Sequence, residues 1–147
     1  MPTNGENSAG WTNPSSEAIK KLLDASRTIA VVGLSSNPER PSYRVAGYLL
    51  KKGYNVIPVN PHETEILGLK VYPDLSAISD KIDIVDVFRH PSEARNIVEK
   101  AISCGAGAVW LQESVVSPEA FREGEKAGLM MIMDRCIFKE HSRLVGN

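Results

Sequence analysis

The chain has 147 residues, of which 42% are hydrophobic and 24% charged, and its formal net charge is −1. This composition is typical of one globular domain and excludes a largely disordered chain. The near-zero net charge gives no electrostatic basis for binding bulk nucleic acid or an anionic membrane. No apolar run approaches the roughly 20 residues of a membrane span, and the polar N-terminus lacks the apolar core of a secretion signal, so we expect a cytoplasmic protein.

The cysteines and histidines show no metal-binding or disulfide pattern. Cys104 and Cys136 are the two cysteines, too few and too far apart for a disulfide scaffold or a zinc site. His90 and His141 have no companion at the spacing of metal ligands. We therefore predict that the protein holds no metal.

The N-terminal residues separate into a tail and the start of a domain. Residues 1–10 are small, polar and unpatterned, which predicts a mobile tail over residues 1–12, and residues 13–147 are expected to form a single domain. A helix is expected to begin near Ser15 or Ser16 and to cover one edge of the sheet described below. Its apolar stripe consists of Ile19, Leu22 and Leu23.

Residues 28–61 predict a strand, a loop, a helix and a second strand in succession. Residues 28–34 are apolar and rich in β-branched side chains, which is typical of a strand buried on both faces of a parallel sheet. Prolines in the following loop delay the helix until about Ser42, a suitable N-cap, and Gly53 ends it. Residues 56–59 form the second strand, which completes a parallel βαβ unit.

The remainder of the chain alternates strands and helices in the same way. The predicted strands are residues 69–71, 82–88, 108–111 and 129–133, and the predicted helices begin near Ser92 and Ser117. From Asp134 onward the pattern is mixed, and no element is predicted. The alternation predicts an α/β fold of the Rossmann-like, doubly wound kind, with a mostly parallel sheet of about five to six strands between two helical layers.

Ligands of such a sheet bind at the carboxyl ends of the strands, so residues that follow each apolar run are candidate site residues. The first run ends at Gly33, where a ligand could approach the backbone, and the next helix offers unpaired N–H groups to an anion. The loop lacks the two further glycines of the dinucleotide fingerprint G-x-G-x-x-G. Arg40 and Arg44 could supply fixed positive charge. The alternative is a purely structural turn with surface arginines.

The second strand end distinguishes between nucleotides. NAD sites carry Asp or Glu at this point, to accept a hydrogen bond from the ribose, whereas this chain has Asn60 followed by Pro61 and His62. A carboxylate would repel a ribose phosphate, so its absence favours a ligand phosphorylated on the ribose, such as CoA or NADP, without choosing between them. Asn60 and Pro61 could instead form only a turn.

Six short motifs occur in order along the chain. They are residues 30–35 (AVVGLS), 40–46 (RPSYRVA), 59–61 (VNP), 83–89 (DIVDVFR), 109–112 (VWLQ) and 133–136 (MDRC). Together they resemble the small stand-alone CoA-binding proteins that are related to the N-terminal domain of the succinyl-CoA synthetase α subunit. The resemblance extends from residue 15 to about residue 144.

This resemblance implies a Rossmann-like domain that binds CoA at the strand ends. It implies that Gly33, Leu34, Ser35, Arg40 and Arg44 lie near the phosphates, that Asn60, Pro61 and His62 lie near the adenosine, and that Phe88 and Arg89 lie along the ligand. Many relatives have lysine where this chain has His62, which is largely neutral near pH 7, so we expect weaker or more pH-dependent binding. The synthetases carry their phosphorylated histidine on a second domain that this sequence does not contain, so ligation by this chain alone is not expected.

Three functional hypotheses follow. The first is a non-catalytic module that binds CoA or an acyl-CoA, because no catalytic Ser-His-Asp or paired-carboxylate arrangement can be argued from the sequence. The second is a small NADP-dependent oxidoreductase or epimerase. The third is a regulatory protein that presents CoA to another protein. A protein partner and a homo-oligomer are both left open.

Three further residues have two interpretations each. Cys136 follows Arg135, where a nearby cation could favour a thiolate that forms a mixed disulfide with CoA, but a free cysteine is commonly a small buried hydrophobe. Asp86 interrupts an apolar strand and is expected either to point into the cleft or to bond backbone donors. Trp110 is expected in the core, with a ligand contact as the alternative.

Overall fold

The structure is a computed structural model that describes residues 10–146. Its strands are β1 (Thr28–Val32), β2 (Asn55–Val59), β3 (Glu65–Ile66), β4 (Leu69–Lys70), β5 (Ile84–Val87), β6 (Ala108–Leu111) and β7 (Met130–Ile132). Its helices are α1 (Ser16–Ala25), α2 (Pro41–Lys51), α3 (Ala94–Ser103), α4 (Pro118–Lys126) and α5 (Ile137–Leu144). Five strands form a parallel sheet in the order β2-β1-β5-β6-β7, and β3 and β4 form a separate antiparallel pair.

Helices cover both faces of the parallel sheet. Side chains of α1, α2 and α5 pack with Ile29 and Val31 on one face, whereas side chains of α3 and α4 pack with Ala30 and Val32 on the other. Successive residues of a strand point to opposite faces, so the uniformly apolar β1 serves both layers. The predicted Rossmann-like fold of three layers is confirmed. None of the helices within residues 10–146 is long and apolar enough to cross a membrane.

The helix starts agree with the sequence only in part. Ser15 caps α1 by accepting a hydrogen bond from the Ala18 N–H, and Ser117 caps α4 through the Ala120 N–H. The predicted cap at Ser42 is wrong, because α2 begins at Pro41 and the Ser42 hydroxyl accepts from a different part of the chain. Ser92 is likewise not the cap of α3, since it lies in a short 3₁₀ turn before that helix.

Other differences concern elements at the periphery. Helix α1 lies over a face of the sheet and contacts α5, rather than covering an edge. Helix α5 occupies the segment for which no element was predicted, and β3 was also missed. Residues 1–9 of the predicted tail lie outside the described residues. Trp11, which that prediction included, is 7% exposed and packs against Phe121 with ring centroids 5.5 Å apart, so the core begins before residue 13.

Candidate ligand-binding site

The order of the strands creates a crevice at one point of the sheet. Strand β1 lies between β2 and β5, so the chain leaves β1 toward one side of the sheet and later returns to the other side. In open α/β sheets, ligands bind at the carboxyl ends of the strands that flank such a point. Gly33 follows β1, and Phe88 and Arg89 follow β5. These three residues therefore border the crevice.

Gly33 is required here by close packing as well as by its backbone conformation. Its φ is +86°, in the left-handed region that favours glycine. Its N–H donates to the Val59 carbonyl at 2.9 Å. A Cβ atom at this position would lie 2.4 Å from the Phe88 carbonyl oxygen and 2.7 Å from Cδ of Arg89. Glycine thus allows the ends of β1, β2 and β5 to meet.

Short polar side chains fix the loop after β1. The Ser35 N–H donates to Ser42 Oγ at 3.0 Å, and the Asn37 N–H donates to Ser35 Oγ at the same distance. The Asn60 amide nitrogen donates to the Leu34 carbonyl at 2.9 Å. Hydrogen bonds from both sides therefore hold the loop in one conformation above the sheet.

Two clefts adjoin Gly33 and Arg89. The larger cleft has a volume of about 460 Å³ and is lined by Gly33, Ser35, Arg40, Pro41, Ser42, Phe88, Arg89, Gln112, Glu113 and Val115. The smaller cleft has a volume of about 220 Å³ and is lined by Val32, Gly33, Val59, Pro61, Pro73, Asp74, Leu75, Arg89, Glu93, Asn96, Ile97 and Lys100. Because both clefts share Gly33 and Arg89, one extended ligand could occupy both.

The three predicted arginines have different surroundings. Arg40 is the N-cap residue of α2, lines the larger cleft and forms no ion pair within residues 10–146. Arg44 is exposed on α2 and lines neither cleft. The Arg89 guanidinium lies between the clefts and binds the Glu93 carboxylate through Nη2 at 2.8 and 3.0 Å. Arg40 is therefore the cation most available to an anionic ligand of the larger cleft.

The smaller cleft combines apolar walls with ion pairs. Leu75 and Ile97 are buried and line it, while Lys100 forms an ion pair with Asp74 on its border. The hydrogen bond from Lys100 is the main cause that lowers the pKa of the Asp74 carboxyl. These partly exposed charges surround an apolar interior, which suits a flat ring with polar edges.

The residues predicted at the second strand end separate into three roles. Asn60 uses both ends of its amide within the protein, since its Oδ1 also accepts from the His62 N–H at 2.8 Å. Pro61 lines the smaller cleft, whereas His62 is exposed and lines neither cleft. The Leu34 side chain, predicted near the phosphates, is fully buried, so only its backbone lies by the loop. Asn60 is therefore a positioning residue for the loop after β1.

Two polar residues of the larger cleft were not predicted as site residues. Ser42 and Gln112 are each only 5% exposed, and each accepts a hydrogen bond from a backbone N–H. Both lie inside the motifs that carried the family resemblance. Gln112 directly follows a predicted strand, but its partner Ile137 belongs to the helix that the sequence did not predict.

The residues with two interpretations are now placed. Cys136 is the N-cap residue of α5, is 9% exposed among apolar side chains and lines neither cleft, as expected for a small hydrophobe. Trp110 is confirmed as a core residue, with its Nε1 donating to the Arg135 carbonyl at 2.9 Å.

Asp86 contradicts both of its interpretations. It is fully buried, lines neither cleft, and neither of its carboxylate oxygens has a hydrogen-bond partner among the described residues. Its neighbours in register, Val31 and Trp110, belong to the layer covered by α1, α2 and α5. Burial in this apolar layer raises the pKa of the carboxyl well above its usual range.

A third cavity is larger than either cleft but has no buried side chain in its lining. It has a volume of about 750 Å³ and is lined by Gly10 and by charged side chains of α3 and α4, none of which lines either cleft. Most of these side chains are exposed to solvent, so the cavity is an open surface depression. Within residues 10–146, no three His, Cys, Asp or Glu side chains are grouped as metal ligands would be.

Comparisons with known proteins identify the family of the chain. The family model of the CoA binding domain matches residues 27–142. The uncharacterized protein YneT of Bacillus subtilis is 40% identical over 130 residues, covering 88% of this chain and 96% of YneT. The solved structure of a hypothetical protein from Pyrococcus horikoshii OT3 is 40% identical with a TM-score of 0.89, and the match covers 99% of this chain and 97% of that one.

A third relative is a much longer enzyme. The ADP-forming acetate–CoA ligase II of Archaeoglobus fulgidus is 29% identical over 103 residues, which are 68% of this chain but 15% of the ligase. The similarity is therefore confined to one segment of that enzyme. The predicted resemblance to small stand-alone CoA-binding proteins is confirmed, and the chain belongs to the CoA binding domain family.

Proposed function

We propose that this protein binds CoA or an acyl-CoA across the two clefts, as a non-catalytic binding or regulatory module. The observation that carries this proposal is the meeting of both clefts at Gly33 and Arg89, at the carboxyl ends of β1 and β5. CoA has an adenosine end, a charged middle and a long neutral arm, so it needs an apolar cleft, a group of anion donors and a second cleft in that order.

The smaller cleft suits the adenosine. Its apolar lining residues include Pro61, Leu75 and Ile97, which could pack against an adenine ring. Asn96 and Lys100 lie at the same cleft and could bond the polar edge of the ring or of the ribose. This assignment agrees with the family resemblance, which implies adenosine near the end of β2.

The loop after β1 suits the phosphates. It leads directly into the N-terminus of α2, where the helix dipole favours an anion. Arg40 adds a fixed positive charge at this point. The one carboxylate of the larger cleft, Glu113, is paired with Lys139 at 3.0 Å, which reduces its repulsion of an anionic ligand.

The end of β2 supports a ligand with a phosphorylated ribose. Asn60 stands where NAD sites carry a carboxylate, and its amide is already bonded to the Leu34 carbonyl and the His62 N–H. The end of β2 therefore lacks the acceptor that an NAD ribose would use, and the two carboxylates of the smaller cleft, Asp74 and Glu93, are each paired with a cation. The weaker CoA binding expected from His62 stays a prediction. The His62 side chain lines neither cleft.

Calorimetric titration of the purified protein with CoA, NADP, NAD and ATP tests this proposal. We expect CoA to bind most tightly, because it combines a phosphorylated ribose, which NAD and ATP lack, with a flexible neutral arm, which NADP lacks. Tighter binding of NADP than of CoA would contradict the proposal and would call for a hydride-transfer assay. Mass spectrometry of any ligand retained during purification supplies an independent test of its identity.

A further inference from the structure

Gln112 is a buried polar residue in the wall of the larger cleft. It directly follows β6, is only 5% exposed, and lines the cleft together with Phe88 and Val115. Burying a side-chain amide costs free energy unless its hydrogen-bonding groups find partners. The arrangement of the two ends of this amide therefore indicates which chemical group the cleft is suited to receive.

The orientation of the Gln112 amide is fixed by the backbone of α5. Its Oε1 accepts from the Ile137 N–H at 3.1 Å. A backbone N–H can only donate, so the atom facing it must be the oxygen and the other end must be the NH₂ group. Among residues 10–146, no hydrogen bond is formed by that nitrogen, nor is it sealed from solvent as the Asp86 oxygens are. The NH₂ group is therefore an available donor at the cleft.

Ser42, across the cleft entrance, follows the same pattern. Its oxygen accepts from the Ser35 N–H, which leaves its O–H free to donate. The Glu113 carboxylate at this cleft is paired with Lys139. The Gln112 NH₂ and the Ser42 O–H, which have no hydrogen-bond acceptor among residues 10–146, are thus both donors, and a matching ligand brings acceptor oxygens.

The position of Gln112 separates it from the phosphate-binding loop. Gly33 follows β1, Gln112 follows β6, and β5 lies between these two strands. Neighbouring strands are about 4.8 Å apart, so the ends of β1 and β6 are separated by roughly 10 Å. A phosphate beside Gly33 would be too far away to bond Gln112. The arm of CoA, which continues from the phosphates, could reach it.

We propose that Gln112 is a specificity-determining residue that donates a hydrogen bond to a carbonyl oxygen on the arm of the ligand. This inference rests on the proposed binding of CoA or acyl-CoA. The carbonyl belongs either to an amide of the pantetheine arm or to the thioester of an acyl-CoA. A neutral amide donor suits a neutral carbonyl, whereas phosphates are better matched by the charged Arg40.

Gln112 is the only glutamine in the 147-residue sequence, so ¹⁵N-glutamine labelling gives a single side-chain NH₂ signal in the wild-type protein. The ligands are 3′-phosphoadenosine 5′-diphosphate, which lacks the arm, CoA and acetyl-CoA. We expect the signal to move with the arm-containing ligands and to stay in place with the armless one. Movement with CoA and acetyl-CoA alike identifies the pantetheine amide, and movement with acetyl-CoA alone identifies the thioester.

Titration of the Gln112→Glu variant supplies a second readout. Glutamate still accepts from the Ile137 N–H, but at pH 8 its carboxylate has no proton to donate. We expect the variant to bind acetyl-CoA at least about tenfold more weakly than the wild type does. If Gln112 bonds the pantetheine amide, binding of CoA should weaken equally. The affinity for the armless ligand should stay unchanged. Circular dichroism and thermal unfolding establish whether the variant folds, and the wild-type signal remains informative if it does not.

The failures of the two proposals are distinguishable. An armless ligand that binds while the Gln112 signal ignores CoA and acetyl-CoA would overturn the role of Gln112 and leave the adenosine site intact. A signal that moves equally with all three ligands would also overturn it. If none of the three binds wild-type protein, the proposed function fails and this inference fails with it.

Discussion

The two clefts differ in how their walls are held. In the larger cleft, buried neutral side chains bond backbone N–H groups: Ser42 bonds Ser35, and Gln112 bonds Ile137. Both bonds join neutral groups, at 3.0 and 3.1 Å, and the bond to Gln112 is buried. They should depend little on ionic strength, so we expect this wall to keep its shape before a ligand arrives.

The smaller cleft is bordered by ion pairs between longer side chains. Arg89 binds Glu93, and Lys100 binds Asp74, and all four side chains are at least about one third exposed. Exposed pairs of this kind contribute little to stability and are weakened by salt. We infer that the wall of the larger cleft is fixed during folding. The charged side chains at the border of the smaller cleft can instead exchange an ion-pair partner for a charged ligand.

The largest predicted effect comes from substituting Gly33, one of the two residues that line both clefts. In Gly33→Ala, the new Cβ would lie 2.4 Å from the Phe88 carbonyl oxygen, on a backbone with φ of +86°. The exit of β5 must therefore move. We expect a loss of about 2 to 5 kcal/mol in the free energy of unfolding, measured by urea denaturation.

Gly53→Ala is the matched control for this substitution. Gly53 has a similar φ of +92°, but a Cβ there would meet nothing within 4 Å. We expect it to lose only about 1 kcal/mol, the cost of the backbone conformation alone. Equal losses in the two variants would mean that the contact between Gly33 and the end of β5 contributes nothing.

The next effect concerns a carboxyl group that neither cleft uses. Burial raises the pKa of Asp86 in the folded protein, whereas the unfolded chain ionises it above about pH 4. Unfolding therefore releases a proton over the range between the two pKa values. The free energy of unfolding falls as pH rises through that range, by up to about 1.4 kcal/mol per pH unit.

Asp86→Asn removes this dependence because asparagine does not ionise. We expect the variant to gain stability relative to the wild type as pH rises from 5 to 8, while other groups contribute equally to both proteins. Urea denaturation of both proteins at pH 5, 6.5 and 8 measures the difference. A difference that stays constant over that range would show that Asp86 does not titrate differently in the two states.

A third prediction concerns Arg40, the exposed cation of the larger cleft, and is tested by measuring CoA binding. Arg40 lines that cleft and Arg44 does not, although both are exposed on or beside α2. We expect Arg40→Ala to weaken CoA binding about tenfold and Arg44→Ala to weaken it less than about twofold, as measured by calorimetry. Equal effects would contradict the placement of the ligand.

Titration of Arg40→Ala with dephospho-CoA refines the same experiment. If Arg40 contacts the ribose phosphate, the variant should lose more affinity for CoA than for dephospho-CoA. Equal losses for the two ligands would place Arg40 at the pyrophosphate instead.

The sequence predicted those cleft residues whose positions depend on residues close to them in the chain. Gly33, Ser35 and Arg40 were identified from one strand and the loop that follows it, because apolar runs and turn residues are local signals. The roles of Ser42 and Asn60 were not predicted in this form. Their hydrogen bonds to Ser35 and Leu34 depend on how the loop folds back, which spacing alone does not reveal.

Helix α5 was not predicted, and the cause is physical. The hydrogen bond from this helix that orients Gln112 was therefore not predicted either. The buried face of α5 includes His141, a residue that counts as polar in an apolar pattern, and no side chain caps the helix start. Burial lowers the pKa of His141, and its Nδ1 lies 2.8 Å from the Tyr48 hydroxyl on α2. Tertiary contacts thus decide the helix, and they also supply the backbone N–H that orients Gln112.

The smallest predicted effect concerns the ion pair between Arg89 and Glu93 at the smaller cleft. Glu93→Gln removes the charge that Arg89 binds, while packing of the Arg89 stem beside Gly33 keeps that side chain at the junction of the clefts. A phosphate then no longer competes with a carboxylate for the guanidinium. We expect CoA to bind about two- to fivefold more tightly at low salt, with a smaller gain at high salt. The control is Glu99→Gln, an exposed position on α3 that lines neither cleft and should change affinity less than about twofold. Weaker binding by Glu93→Gln would instead mean that Arg89 needs Glu93 to hold it in place, and the smaller cleft would then be as rigid as the larger one.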